Sequence, residues 1–194
     1  DEERVQNLVK EYGEWRFTSK HLFYVTEKLD GSSATYYVKD GVFGVCSRNL
    51  ELLETEGNTF WKVARELDLE TKMKFLGKNI CFQGELIGEG IQGNPYKIKG
   101  QTVRFYTGFD IDKQVRIPFM EFAVLLQTLN LEYVPVLNED YGFLFPDSVE
   151  DMLKYAEGKS ALNPNTEREG VVVRSMDGTI SFKAISNKFL LQEK

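Results

Sequence analysis

A lysine two residues before an Asp-Gly pair, at the end of an apolar run, is the layout of an attacking amine. In Thr26-Glu27-Lys28-Leu29-Asp30-Gly31-Ser32-Ser33 that lysine is Lys28. An ordinary lysine is almost fully protonated at neutral pH. Its amine attacks a phosphorus or carbonyl centre only where cationic neighbours, desolvation or a metal release the proton. Leu22-Phe23-Tyr24-Val25 supplies a low-dielectric wall. Asp30 is placed to hold a metal or orient the amine, and Gly31 permits close approach of backbone or ligand at the turn. Taken alone, the tetrapeptide reads more simply as a strand ending in an Asp-Gly turn with a solvated lysine.

Further residues suited to phosphate chemistry follow along the chain. Cys46-Ser47-Arg48-Asn49 carries an arginine, whose planar fork of donors matches phosphate oxygens. Phe82-Gln83-Gly84-Glu85-Leu86-Ile87-Gly88 and Glu169-Gly170-Val171-Val172-Val173-Arg174 set Glu85 and Glu169 at or inside apolar runs, where a carboxylate must be partnered. Singly, each glutamate reads as an exposed strand-end charge, the commonest fate of Glu. Phe105-Tyr106-Thr107-Gly108-Phe109-Asp110-Ile111 is rich in aromatics, of which at least one must be core. Ser181-Phe182-Lys183-Ala184-Ile185-Ser186 offers Lys183, a compact charge suited to steadying a transferring group. The single histidine, His21, reads as structural or exposed.

These residues need elements to position them. Val5, Leu8, Val9 and Tyr12 at helical spacing predict a short amphipathic helix over 3–12. From His21 the pattern becomes strand-like: a run into Lys28, a strand over 34–38, an Asp40-Gly41 turn and a strand over 42–46, together a β-hairpin. Asn58 caps a helix over 59–67. Strands are predicted over 80–87 and 103–111, and Pro118 starts a helix over 119–129. Ser148 caps a helix to about 155 that Gly158 ends, and 170–185 reads as a strand pair turned at Asp177-Gly178. Hairpins and mixed connections outnumber regular crossover helices. They predict an α+β fold with twisted, largely antiparallel sheets in one domain, with no repeat or interdomain linker.

At 194 residues the chain is long enough to bury a substantial core, and its 42% hydrophobic content marks a folded globular protein. The net charge of −6, from 24 basic and 30 acidic residues, excludes a global basic field, so any nucleic-acid contact must come from a local patch or another domain. No run is long enough to span a bilayer and no membrane role is expected. Cys46 and Cys81 sit in apolar strand-like runs and read as buried free thiols, which points to an intracellular, reducing compartment, cytoplasmic or nuclear.

In their order, these six segments resemble the motifs of the covalent nucleotidyltransferase superfamily, the ATP-dependent RNA and DNA ligases and messenger-RNA capping enzymes. The resemblance runs from about residue 22 to 190. It implies an adenylyltransferase domain, ATP-grasp-like, of two twisted, largely antiparallel sheets flanked by helices, with a nucleotide pocket between them. It further implies that Lys28 attacks the α-phosphate of ATP, expels pyrophosphate and becomes lysyl-AMP. Glu27, Arg48, Asn49, Glu85 and Lys183 would contact the nucleotide, and Phe105 or its neighbour would stack on the adenine. Asp30, Glu85 and Glu169 would hold Mg2+ or Mn2+, mostly through water, while Lys28, Asp30, Glu169 and Lys183 form the catalytic set. One departure stands out: Lys183 is followed two residues on by Ile185, and Lys188 is out of phase for a strand. The second lysine that many ligases carry in this motif is therefore unassigned.

Glu-Lys-Leu-Asp-Gly-Ser-Ser, Ser-Arg-Asn and Ser-Phe-Lys-Ala-Ile-Ser look most like RNA ligases of the Deinococcus and Naegleria type, in which an OB module precedes the nucleotidyltransferase domain. Such a module, absent here, would end just before Asp1. The implied substrate is RNA with a 3′-hydroxyl and a 5′-phosphate, in a nick or duplex break, acted on by a monomer. Alternatives are a DNA ligase or capping guanylyltransferase core and, from a different class, a non-catalytic nucleotide- or RNA-binding module. The presence of Lys28, Glu85, Glu169 and Lys183 together weighs against the last. The chain alone is expected to adenylylate itself but to seal nicks poorly.

Overall fold

The computed structural model describes residues 1–18, 20–138, 140 and 142–192. In chain order it contains a 3-10 turn (Val5–Asn7), α1 (Val9–Thr18), β1 (Phe23–Lys28), β2 (Ser32–Lys39), β3 (Val42–Cys46), α2 (Thr59–Glu66) and α3 (Leu69–Phe75). Then follow β4 (Ile80–Gly88), β5 (Gln101–Asp110), β6 (Val115–Arg116), α4 (Phe119–Thr128), α5 (Val149–Ala156), β7 (Gly170–Ser175), β8 (Ser181–Ile185) and α6 (Asn187–Gln192). Two compact units result. One comprises Asp1–Asp30 with Pro135–Lys194, the other Gly31–Val134. Each crossing between them is a single peptide bond, so no linker composition marks it.

The first unit is built on an antiparallel sheet in the order β1-β7-β8. Its inner face packs Phe23, Val25, Val171, Val173, Phe182 and Ala184 against Val5, Tyr12, Met152 and Ala156. Alternation along each strand is what sends the remaining residues to the opposite face. The helix expected over 3–12 is displaced. Arg4 bridges Lys183 as a parallel extension of the sheet, and the Lys183 amide donates to the Glu3 carbonyl at 2.8 Å. The backbone there is committed to β8, so the helix begins at Val9 and leaves Val9 itself exposed. Ser148 caps α5 as expected, its hydroxyl accepting from the Asp151 amide at 3.1 Å.

The second unit holds a five-stranded antiparallel sheet in the order β3-β2-β4-β5-β6. The β2–β3 hairpin turns at Asp40 (φ 51°) and Gly41 (φ 76°), both in the left-handed region that two-residue hairpins require. One face buries Tyr36, Val38, Phe82, Leu86, Val103 and Phe105 against α2, α3 and α4, through Trp61, Met73, Phe122 and Leu126. Asn58 caps α2 by accepting from the Trp61 amide at 3.1 Å. Cys46 and Cys81 are free thiols on this sheet. Burial pushes the Cys81 thiol up to about 12, and burial together with Glu51 raises that of Cys46. Both helices that the sequence pattern left out, α3 and α6, are short, at 7 and 6 residues. No helix among the described residues is long and apolar enough to cross a membrane.

Candidate active site

Lys28 is the last residue of β1, and its Nζ lies 2.8 Å from Glu169 Oε1, the two side chains only 26% and 17% exposed. The ladder explains the meeting. Lys28 pairs with Gly170 and Gly170 with Ile185, so Glu169 enters β7 just beside the strand end that carries the amine. Gly170 cannot be replaced cheaply here, because a Cβ would come within 2.2 Å of the Ala184 carbonyl oxygen. Residues directly opposite in a ladder share a face. Thr26, Val172 and Lys183 form the next row on the face of Lys28, and Tyr24, Arg174 and Ser181 the row after. Lys28 and Lys183 are thus two strands across and two residues along, about 12 Å apart at Cα by strand spacings.

Arg174 is a feature of this face that the sequence pattern quoted but assigned no role. It is a buried cation whose Nη1 donates to Thr26 Oγ1 at 2.9 Å, with Nη2 3.6 Å from Glu2 Oε1. Its signal was an arginine in phase with Val172 at the end of an otherwise apolar strand. Lys188 lies on α6, paired with Glu157 at 3.3 Å, and so does not continue the face of β8. His21 sits before the opposite end of β1, with Nδ1 2.9 Å from Asp177 Oδ2. Burial works against the Asp177 charge, but hydrogen bonds from Ser175 and Thr179 outweigh it and bring its pKa down to about 2.

Glu27 corrects one expectation. Adjacent to Lys28, it points to the other face of β1 and is 1% exposed. Its carboxylate accepts from Ser160 Oγ and from the Ala161 amide, each at 3.2 Å. A carboxylate so enclosed and engaged is a tether for the segment between α5 and β7, not a surface for a nucleotide. The far end of that segment is gripped by Arg168. Its Nε donates to the Ala156 carbonyl at 2.9 Å and Nη2 to the Tyr155 and Glu157 carbonyls at 2.7 and 3.0 Å. A guanidinium at a helix C-terminus satisfies its orphan carbonyls and opposes the negative end of the dipole. Glu169 is the next residue, so this cap also fixes where the Lys28 partner begins.

In the second unit, Gly31 lies against β4. A Cβ on it would meet the Leu86 carbonyl oxygen at 2.2 Å and Glu85 Cγ at 3.0 Å, which is why the motif needs glycine there. Glu85, half-buried, faces away from the core, in a row with Ser33 and Arg104. The adjoining rows on that face are Thr35, Gln83 and Thr107, then Tyr37, Cys81 and Phe109. Arg48 and Asn49 are exposed on the tight turn after β3. Ser47 closes that turn, its amide donating to the Leu50 carbonyl at 2.8 Å. The Tyr37 hydroxyl donates to Glu51, and that bond raises the phenol to about 12.

Phe105 is the second correction. It is fully buried, edge-on to Tyr36 at 6.1 Å and to Phe82 at 5.6 Å, so neither ring face is open to an adenine. The cause is a register shift between Gln83 and Gly84, opposite which Tyr106 is the extra residue. It puts Phe105 on the core face and Phe109 on the face of Glu85. Phe105→Leu is therefore expected to lower the melting temperature, by about 1 kcal/mol of stability or somewhat more, while leaving the KM for ATP unchanged. A thermal melt beside a nucleotide titration checks both halves.

Among the described residues no three His, Cys, Asp or Glu side chains converge closely enough to bind a metal directly. Asp30 and Glu169 in the first unit and Glu85 in the second do present carboxylate oxygens, the donors that Mg2+ and Mn2+ take.

The RNA ligase family model matches residues 21–188. Among solved structures, the chain is similar to an RNA ligase of Naegleria gruberi, a variant with AMP and manganese. They share 42% identity at a TM-score of 0.92 over 99% of this chain and 56% of that one. A variant of the same ligase with ATP and manganese matches at 42% identity and TM-score 0.92, over 99% and 57% of the two chains. An apo variant matches at 43% and 0.91, over 99% and 56%. The chain thus spans little more than half the length of these relatives. Comparison with curated protein sequences finds no match. With its motif residues on two antiparallel sheets and a family model covering most of its length, the chain belongs to the RNA ligase family.

Proposed function

We propose that the chain is the nucleotidyltransferase core of an ATP-dependent RNA ligase, with Lys28 as its nucleophile. The observation that carries this reading is the Lys28–Glu169 pair: a half-buried lysine at a strand end, held at 2.8 Å by one carboxylate, in a family whose Naegleria member has been solved with ATP or AMP and manganese. Attack requires the neutral amine, and Glu169 Oε1 is placed to take its proton. The Lys28 nitrogen then bonds to the α-phosphorus of ATP, the bond from that phosphorus to the bridging oxygen breaks, and pyrophosphate leaves. Lys183, on the same sheet face, is assigned to the phosphate oxygens, whose charge must be neutralised as the group transfers. Arg48 and Asn49 are assigned to phosphate and ribose, and the face with Glu85 and Phe109 to the nucleoside. A divalent ion held through water by Asp30, Glu85 and Glu169 would supply further charge neutralisation at the phosphates.

The substrate that follows is RNA with a 5′-phosphate and a 3′-hydroxyl at a nick or duplex break. An oxygen of the 5′-phosphate attacks the adenylyl phosphorus and frees Lys28; the 3′-hydroxyl then attacks the 5′-phosphorus and AMP leaves. The protein is proposed to act as a monomer in a reducing compartment, where Cys46 and Cys81 stay free thiols. The test is intact-mass analysis after incubation with ATP, or separately GTP, plus magnesium or manganese. One adenylyl group added from ATP and nothing from GTP is the expected result. A guanylyl adduct alone, or no adduct in a folded sample, overturns the reading.

A further inference from the structure

The chain carries net −6, so RNA affinity has to come from a local patch. One stretch stands apart: between Glu89 and Asp110 the sequence holds Lys97, Lys99 and Arg104 and no carboxylate. Its first part is the connection from β4 to β5. There three non-glycine residues, Gln92 (φ 48°), Asn94 (φ 47°) and Lys97 (φ 56°), take the left-handed conformation. Each costs on the order of 1 kcal/mol, and such strain persists only where the surroundings over-determine it.

Here they do. Tyr96 is buried as an anchor. Asn94 brackets Lys97, its Nδ2 donating to the Ile98 carbonyl at 2.8 Å while its Oδ1 accepts from the Ile98 amide at 3.2 Å. The base is closed twice. The Glu89 amide donates to the Gly100 carbonyl at 2.8 Å, and Gln101 Nε2 donates to the Glu89 carbonyl at 2.8 Å. The Lys97 and Lys99 side chains are exposed and make no ion pair or hydrogen bond among the described residues. The loop leaves β4 three residues after Glu85, and its Gln92 side chain reaches the Gly31 carbonyl, three residues after Lys28. A strained, hydrogen-bonded loop that holds two ammonium groups without an ion pair among the described residues, in the same unit as Gly31 and Glu85, is built to meet a polyanion.

We propose that the β4–β5 loop is an RNA-backbone contact, with Lys97 and Lys99 each neutralising one phosphate of the nucleic acid to be sealed. The inference rests on the ligase reading above and adds a contact surface to it. It is tested with the double variant K97Q/K99Q, which removes both charges while keeping a flexible polar side chain, one bond shorter, at each position. A nicked RNA duplex with a 5′-phosphate is titrated with each protein by fluorescence anisotropy across a salt series. Each lost phosphate contact removes about 0.9 from the slope of log affinity against log salt. The variant slope is thus shallower by about 1.8, its affinity falls alike for duplexes of different sequence, and adenylylation by ATP matches the parent. K97R/K99R keeps the parental slope. A control pair removing the same charge elsewhere, K39Q/K113Q, leaves it unchanged. An unchanged slope in K97Q/K99Q, an equal change in the control, or no binding by the parent overturns the inference. An adenylylating parent with an unchanged variant slope defeats the loop contact alone; a folded parent that takes no adenylyl group defeats the ligase reading itself.

Discussion

Lys28→Ala takes no adenylyl group from ATP, a loss beyond the roughly 10^4-fold that a misplaced proton-transfer group would cause. In the proposed reading the change removes the attacking amine, which Lys28 carries at the end of β1. It also leaves the Glu169 carboxylate, 17% exposed, without its 2.8 Å partner. Breaking a partly buried pair costs about 1–2 kcal/mol, between the surface and the fully buried cases, or a few degrees of melting temperature for a chain of this size. Chemistry and stability are separated by Lys28→Arg. A guanidinium keeps the ion pair and stays protonated, so this variant melts like the parent and is as inert as the alanine. Intact-mass spectra of the two, with melting curves alongside, check the claim. An adduct on the arginine variant would place the nucleophile on another residue.

How much of this was readable without coordinates depends on range. Short-range chemistry was legible. Asp40-Gly41 requires left-handed backbone and forms the hairpin, Asn58 and Ser148 cap their helices, and two antiparallel sheets make up the α+β fold. The convergence of Lys28 with Glu169, 141 residues apart, was legible only through the resemblance, because nothing local to either residue sets the β1–β7 register. A motif carried over from the resemblance names a residue type and does not fix which face of the strand it takes. A single shift at Gln83 and Gly84 moved Phe105 to the core side. Glu27 was grouped with its neighbour Lys28, although adjacent strand residues face opposite ways. The amphipathic pattern over 3–12 lost to a non-local competitor, the β8 edge, which captured Glu3 and Arg4. The division into two units was hidden for a related reason: two direct crossings leave no loop for composition to mark.

Glu169 tests which property of the Lys28 partner matters. Glu169→Gln keeps an oxygen able to accept from Lys28 Nζ and nearly the same shape, but loses the charge. Glu169→Ala loses both. If the carboxylate served only to tether the amine, the glutamine variant would keep most of its rate. Its proposed work is electrostatic, taking the amine proton and holding a hydrated ion, and an amide does neither. Both variants are therefore expected to slow adenylylation by about 10^2–10^3-fold, the range for losing a proton-transfer group or one charge-stabilising contact. Glutamine should recover little over alanine. Since the contact acts on the reacting atoms rather than on bound ATP, the loss falls on the rate at saturating ATP and leaves the KM within a few-fold. Arg168 supports the distinction, because its hold on the C-terminal carbonyls of α5 is untouched by either change, so position 169 stays where it was. Single-turnover adenylylation across an ATP series reads out both quantities. A glutamine variant within about tenfold of the parent rate would leave Glu169 a tether and move the proton-acceptor role to another group.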